Sequence, residues 1–252
     1  MTTLRLFLRY LVVGLRQPVF GFVFPIVFPV VLVIFVRAMF QRVAQLPGFP
    51  VHSYTAYIAP GIIMLIPMIG SGYGASTLLE EIGSGFVDRL RLQGVSARQV
   101  LTAKIGFEAV RILPAGLIVI GLLAALGAPL RAGAVTVVAL LALMCLWSAA
   151  YSSLFYLAAV RTLNPQAPIA LLPLALPVLF VSQALMPTTF LADWLRMAID
   201  VNPFSHVVTA AATLMYGAFD PVRLLIGIAV AAAVLVVLHL LLMRLVRRRI
   251  GL

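Results

Sequence analysis

Few residues in this chain have types and spacing that could do chemistry. Lys104, Glu108 and Arg111 fall at i, i+4 and i+7, so on a helix a cation lies within about a turn of the carboxylate on either side. In apolar surroundings such a set is either a structural ion-pair ladder or, through Glu108 alone, a proton relay, because buried ionisable groups are costly unless paired or hydrated. His52, His206 and His239 are far apart and have no cysteine or carboxylate at ligand spacing, so no metal site is expected. Cys145 is the single cysteine, which excludes a disulfide or a thiolate metal site within one chain. The serines show no G-x-S-x-G elbow. The only lysine, Lys104, lies in no glycine-rich phosphate loop. No catalytic residue and no cofactor bound by this chain are therefore expected, and the chain is not read as an enzyme.

A second kind of chemistry is mechanical. The stretch from Glu80 to Ser96 contains Gly83 and Gly85, which break the outgoing helix, and then a short helix from about Phe86 to Leu92. Phe86, Leu90 and Leu92 are expected partly against an apolar surface, with Asp88, Arg89 and Arg91 facing polar surroundings. It is either a solvated loop whose arginines set orientation or an element that transmits force. Upstream, Tyr57-Ile58-Ala59-Pro60-Gly61 opens an apolar run that later holds Pro67, Gly70, Gly72 and Gly74, a helix expected to be interrupted, for close packing or for gating. Downstream, the segment from about 190 to 216 is half apolar but repeatedly broken. It reads as two short re-entrant helices or as a plain interfacial loop, with Trp194 at an interface.

The elements that position these residues follow from composition. The chain has 252 residues, 63% hydrophobic and 10% charged, with a mean hydropathy of +1.16; soluble domains carry about 25% charged residues. This implies an all-α integral membrane protein with one membrane domain over 1–252. Apolar runs predict six spans near 19–40, 54–79, 105–126, 133–158, 167–186 and 222–243. The first is read as a retained span and not a signal peptide. The net charge of +11 gathers at the ends of these runs and does not point to nucleic acid. Twelve basic residues fall on the side of both termini: Arg5, Arg9, Arg16, Arg89, Arg91, Arg98, Lys104, Arg161, Arg244, Arg247, Arg248 and Arg249. Only Arg37, Arg42, Arg131, Arg196 and Arg223 fall on the other side, which predicts cytoplasmic N- and C-termini. Residues 1–17 read as an amphipathic interface helix, with Arg5, Arg9 and Arg16 within an arc of roughly 40° and with Leu4, Phe7, Leu8, Leu11 and Val12 over much of the rest.

Taken in order, the motifs Tyr57-Ile58-Ala59-Pro60-Gly61, Gly85-Phe86-Val87-Asp88-Arg89-Leu90-Arg91, Phe180-Val181-Ser182 with Pro187, Trp194-Leu195 and Asn202-Pro203 make the chain resemble the membrane permease of type-two ATP-binding-cassette exporters, most closely the daunorubicin-resistance-like drug exporter permeases of bacteria. The resemblance covers nearly the whole length. It implies that Gly85 to Arg91, within the loop 84–96, form a coupling helix docked on a separate ATPase subunit. It also implies that Pro187, Trp194, Asn202 and Pro203 belong to re-entrant helices between spans five and six. Two ATPase subunits would serve two permeases, the second a copy or a paralogue, in a bacterial plasma membrane. ATP and Mg would sit on the ATPase. The pathway would run along spans one, two and five, with Phe24, Phe28, Tyr57, Pro60, Gly61, Phe180 and Ser182 as pathway or gating candidates. The expected cargo is amphiphilic drugs, antibiotics or lipids. Alternatives are polysaccharide or lipo-oligosaccharide export, a proton-coupled transporter using Glu108, and a membrane assembly factor without transport activity. Two departures stand out: Gln93-Gly94 replaces a frequent Leu-Pro pair, and Ala212 replaces a frequent arginine.

Overall fold

A computed structural model describes residues 3–15, 23–216 and 218–249. The protein is 82% helix, and no strand occurs among the described residues. Helix α1 covers Thr3–Leu15, α2 Phe24–Phe40, α3 Tyr54–Gly70, α4 Gly72–Gly83, α5 Phe86–Leu92, α6 Ala97–Arg111, α7 Leu113–Ala125 and α8 Ala134–Thr162. The chain continues through α9 Gln166–Ala170, α10 Ala175–Phe180, α11 Asp193–Val201, α12 Pro203–Met215 and α13 Pro221–Arg249.

Among the described residues five helical stretches are long and apolar enough to cross a membrane: Phe24–Gln45, Tyr54–Gly83, Ala97–Ala125, Ala134–Thr162 and Pro221–Arg248. At about 1.5 Å per residue each exceeds the roughly 30 Å of hydrocarbon. The expected fifth span, near 167–186, is different. There α9, a 3₁₀ turn at Leu172–Leu174 and α10 make a broken segment, Gln166–Phe180, only about 22 Å long. Pro168, Pro173 and Pro177 explain the breaks, since each lacks an N–H and crowds the preceding turn. Residues 19–22 of the expected first span, and Arg16 and Gln17 of the interface helix, lie outside the described residues.

Helix α3 is the centre of the bundle, with all of its residues buried and α2, α7, α8 and α12 packed around it. The interruption expected between Pro67 and Gly74 is the α3–α4 junction at Ser71, whose hydroxyl donates to the Pro67 carbonyl at 2.5 Å. Gly74 makes a close approach possible: a Cβ there would lie 2.7 Å from the Tyr156 hydroxyl oxygen and against the Glu108 carboxylate. Close packing thus accounts for this small residue. The α6–α7 break has a separate cause in Pro114, which removes one helical donor. Helix α7 ends at Gly127 (φ +91), where Gly127 N donates to Ala124 O and Ala128 N to Leu123 O, a Schellman closure.

On helix α1 Arg5 is exposed and Arg9 half-buried. The helix packs on α6 through Leu6, Tyr10 and Gly14, while Leu4, Leu8 and Val12 form the exposed apolar side. Arg9 is turned inward because a carboxylate waits there.

Candidate functional site

Helix α5 is a short helix bounded at both ends by glycines in the left-handed region. Gly85 (φ +68) precedes it, and Gly94 (φ +78) follows it. Gly94 N donates to Arg91 O at 2.8 Å and Val95 N to Leu90 O at 3.0 Å, again a Schellman closure, with Val95 and Leu90 both buried. Ser96 then opens α6 in a reciprocal capping box with Gln99, at 3.3 Å and 2.9 Å. A seven-residue helix is too short to be stable by itself. These closures, the burial of Leu90, and that of Val87 beside Leu78, Ile82, Val100 and Val246, fix it.

The inward face differs from expectation. Val87 and Leu90, three residues apart, point in; Phe86 is half-buried; Leu92 is 89% exposed. Residues 90 and 92 are about 200° apart around a helix and cannot share a face. Asp88, Arg89 and Arg91 flank Leu92 on the exposed side, and Arg91 pairs with Asp88 at 3.3 Å.

Behind α5 stands a charged hub that the sequence spacing missed. Glu81, at the end of α4, receives Lys104 of α6 at 3.0 Å and Arg9 of α1 at 3.2 Å, and Tyr10 donates to it at 3.4 Å. The Arg9 guanidinium carbon lies 3.9 Å from the centre of the Phe86 ring, which joins the hub to α5 by a cation–π contact. Lys104 also donates to Thr77 at 3.3 Å and sits 4.4 Å from the centre of the Tyr10 ring. Burial, and then the Glu81 charge, hold the Tyr10 phenol well above its ordinary range, so it remains a neutral donor. The hub opens on a cavity of about 320 Å³ that reaches Tyr156 and Gly74.

The ladder Lys104, Glu108, Arg111 is therefore split. Lys104 pairs with Glu81 across the helix interface, and Glu108 pairs with Arg111 at 2.5 Å. Arg111 also donates to the Gly70 carbonyl at the α3–α4 junction, and Ser148 donates to the Glu108 carbonyl at 3.1 Å. The ions thus join α1, α4, α5 and α6 at one level, and α3, α6 and α8 at the next. Seven acidic residues face eighteen basic ones, so each buried carboxylate has more than one candidate cation. The useful sequence signal is the sole lysine and an acidic pair, Glu80-Glu81, two helices back.

The pathway candidates divide into two groups. Phe24 and Phe28 of α2, with ring centres 5.9 Å apart, line an apolar cavity of about 230 Å³ with Ile69, Leu172, Pro173 and Leu176. Phe180 is 59% exposed along the same broken segment, and Val31, Ile34 and Phe35 extend an exposed apolar wall on α2. Tyr57, Pro60 and Gly61 are instead buried in α3. Tyr57 donates to the Gln183 carbonyl at 2.7 Å, Gly61 packs on Ala184, and Ser182 donates to Leu179 O at 2.5 Å. They fasten the end of the broken segment to α3.

Helices α11 and α12 are two short helices within the stretch expected to contain them. Asn202 caps α12 by accepting from Phe204 N at 3.0 Å, while its amide donates to Val178 O at 2.9 Å and to Val181 O. Pro203 takes the first helical position, Pro187 is buried, and Trp194 is 70% exposed. Ala212 is half-buried in α12. Among the described residues no group of histidine, cysteine and carboxylates could hold a metal.

Comparison with known families matches residues 42–244 to the family described as ABC-2 family transporter protein. The match covers most of the chain and includes α3 to α12. Comparison with curated proteins gave no match.

Proposed function

We propose, on the premise that this chain belongs to the ABC-2 family of transporters, that it is the permease of a drug exporter of the daunorubicin-resistance-like type. Membership makes it a multi-pass transmembrane subunit of an ABC exporter that works with an ATP-binding subunit. In the proposed assembly two permeases, copies or paralogues, and two ATPase subunits sit in a bacterial plasma membrane, with ATP and Mg on the ATPases. The broken segment Gln166–Phe180 serves as the fifth of six membrane segments, both termini are cytoplasmic, and α11 and α12 re-enter the outer leaflet.

Helix α5 is the proposed coupling helix. Its exposed Leu92, flanked by Asp88, Arg89 and Arg91, is the single observation that carries this reading, because an exposed leucine amid charges on a rigidly closed helix suits a cleft in a partner. The hub gives force applied to α5 a route to α1, α4 and α6. Gly94 at φ +78 excludes proline, so a Leu-Pro pair at 93 and 94 would require a differently shaped turn. The Phe24–Phe28 groove and the apolar wall of α2 favour amphiphilic drugs, antibiotics or lipids as cargo, with the second permease facing that wall. The pairing of Glu108 with Arg111 favours a structural carboxylate over a proton relay.

The test is co-purification of the ATPase with tagged permease carrying Leu92→Asp. Because Leu92 contacts little within the chain, Tm should be unchanged while retained ATPase falls at least about tenfold. Undiminished association with the folded variant would refute the coupling assignment.

A further inference from the structure

Two grooves flank the Arg-rich end of α13. The larger, about 500 Å³, is walled by Leu157 and Arg161 of α8 and by Leu241, Arg244, Leu245 and Arg248 of α13. The other, about 390 Å³, lies on the opposite side of α13, shares Arg244 and adds Arg98 of α6 and Arg247. Among the described residues no carboxylate lines either groove. Among the described residues these five arginines make no ion pair, whereas Arg9, Arg91, Lys104, Arg111, Arg196 and Arg223 are all paired.

Their position along α13 matters as much as their charge. The apolar run of this helix ends at Met243, and the first arginine follows at 244, so the guanidiniums stand where hydrocarbon gives way to headgroups. Below them Val236, Val237, Leu240 and Leu241 are exposed along the same helix. Each groove therefore has a cationic rim and an apolar floor. Guanidiniums pair with phosphate oxygens in fork geometry, and basic pockets between transmembrane helices suit lipid headgroups. A free phosphate would satisfy the rim but leave the leucines exposed, and an acidic protein surface would not follow the groove down to hydrocarbon depth.

We infer that the larger groove, between α8 and the Arg-rich end of α13, binds an anionic glycerophospholipid, with its phosphate among Arg161, Arg244 and Arg248 and its acyl chains along Leu157 and Leu241. The site shares no lining residue with the Phe24–Phe28 groove, so it would hold a resident lipid and not cargo. It goes beyond the exporter reading and does not depend on it.

The test uses the full chain in nanodiscs containing spin-labelled phosphatidylglycerol or spin-labelled phosphatidylcholine, and reads the motionally restricted lipid fraction. Wild type should favour phosphatidylglycerol at least about fivefold, the effect of roughly one basic residue near a charged surface. The triple variant Arg161→Gln/Arg244→Gln/Arg248→Gln should lose that preference. The triple lysine variant should recover part of it, and Arg37→Gln/Arg42→Gln should keep it. Should the glutamine variant fail to fold, raising salt on wild type must remove the preference by screening. Equal restriction of both lipids, or a preference indifferent to the triple variant or to salt, overturns the site. Displacement by millimolar inorganic phosphate also overturns it, since it would reveal a simple anion site.

Discussion

Replacing Glu81 with glutamine tests the hub directly, since it keeps the shape and removes the charge that Lys104 and Arg9 share. At 3.0 Å the Lys104 attraction amounts to about 5.5 kcal/mol at an effective dielectric of about 20 and about 1.4 kcal/mol in bulk water. Removing one partner of a fully buried pair typically costs about 3–5 kcal/mol, because the survivor is left uncompensated. The Lys104 side chain is almost wholly buried, but those of Glu81 and Arg9 are 16% and 33% exposed, so water screens part of the loss. A destabilisation of about 2–3 kcal/mol is expected, or a fall of about 5–10 °C in the thermal unfolding midpoint of the purified protein. The companion variant Lys104→Met should suffer similarly. Combined with Glu81→Gln it should cost clearly less than the two single costs together, since neither change then strands a buried charge. Strict additivity, or a Glu81→Gln protein as stable as wild type, would refute the hub.

Two further substitutions probe packing and capping. Gly74→Ala places a methyl 2.7 Å from the Tyr156 hydroxyl oxygen and against the Glu108 carboxylate, so it should lower stability by about 1–3 kcal/mol by overpacking; an unchanged unfolding midpoint would show that α4 and α8 do not meet there. Asn202→Ala removes the α12 cap and two donors to the end of α10. A loss of about 2 kcal/mol is expected, of which roughly 1 kcal/mol is the cap, read as a fall in the thermal unfolding midpoint of the purified protein.

What could be read in the sequence was whatever depends on local pattern. Helix α5, the interruption after Pro67 and the pair of short helices after residue 190 are set by glycine, proline and capping residues within a few positions, and their expected ranges agree with the structure. Longer-range facts were not visible in the same way. The six uniform spans give way to five long helices and a proline-broken segment, because hydropathy counts apolar side chains and is blind to the donors that Pro168, Pro173 and Pro177 lack. The orientation of Leu92 was recoverable from helix geometry, since 90 and 92 cannot point the same way. The partner of Lys104 was not: helical spacing offers Glu108 one turn away, whereas Glu81 comes from another helix, and only the packing of α1 against α6 brings Arg9 and Tyr10 to the same carboxylate. Local spacing thus identified which residues were ionic and deep, and tertiary packing decided which of them were joined. That division has a mechanical consequence. Lys104, which local pattern set beside Glu108, instead meets Glu81 with Arg9, so that α1, α4 and α6 share one charged cluster that touches α5 through Phe86.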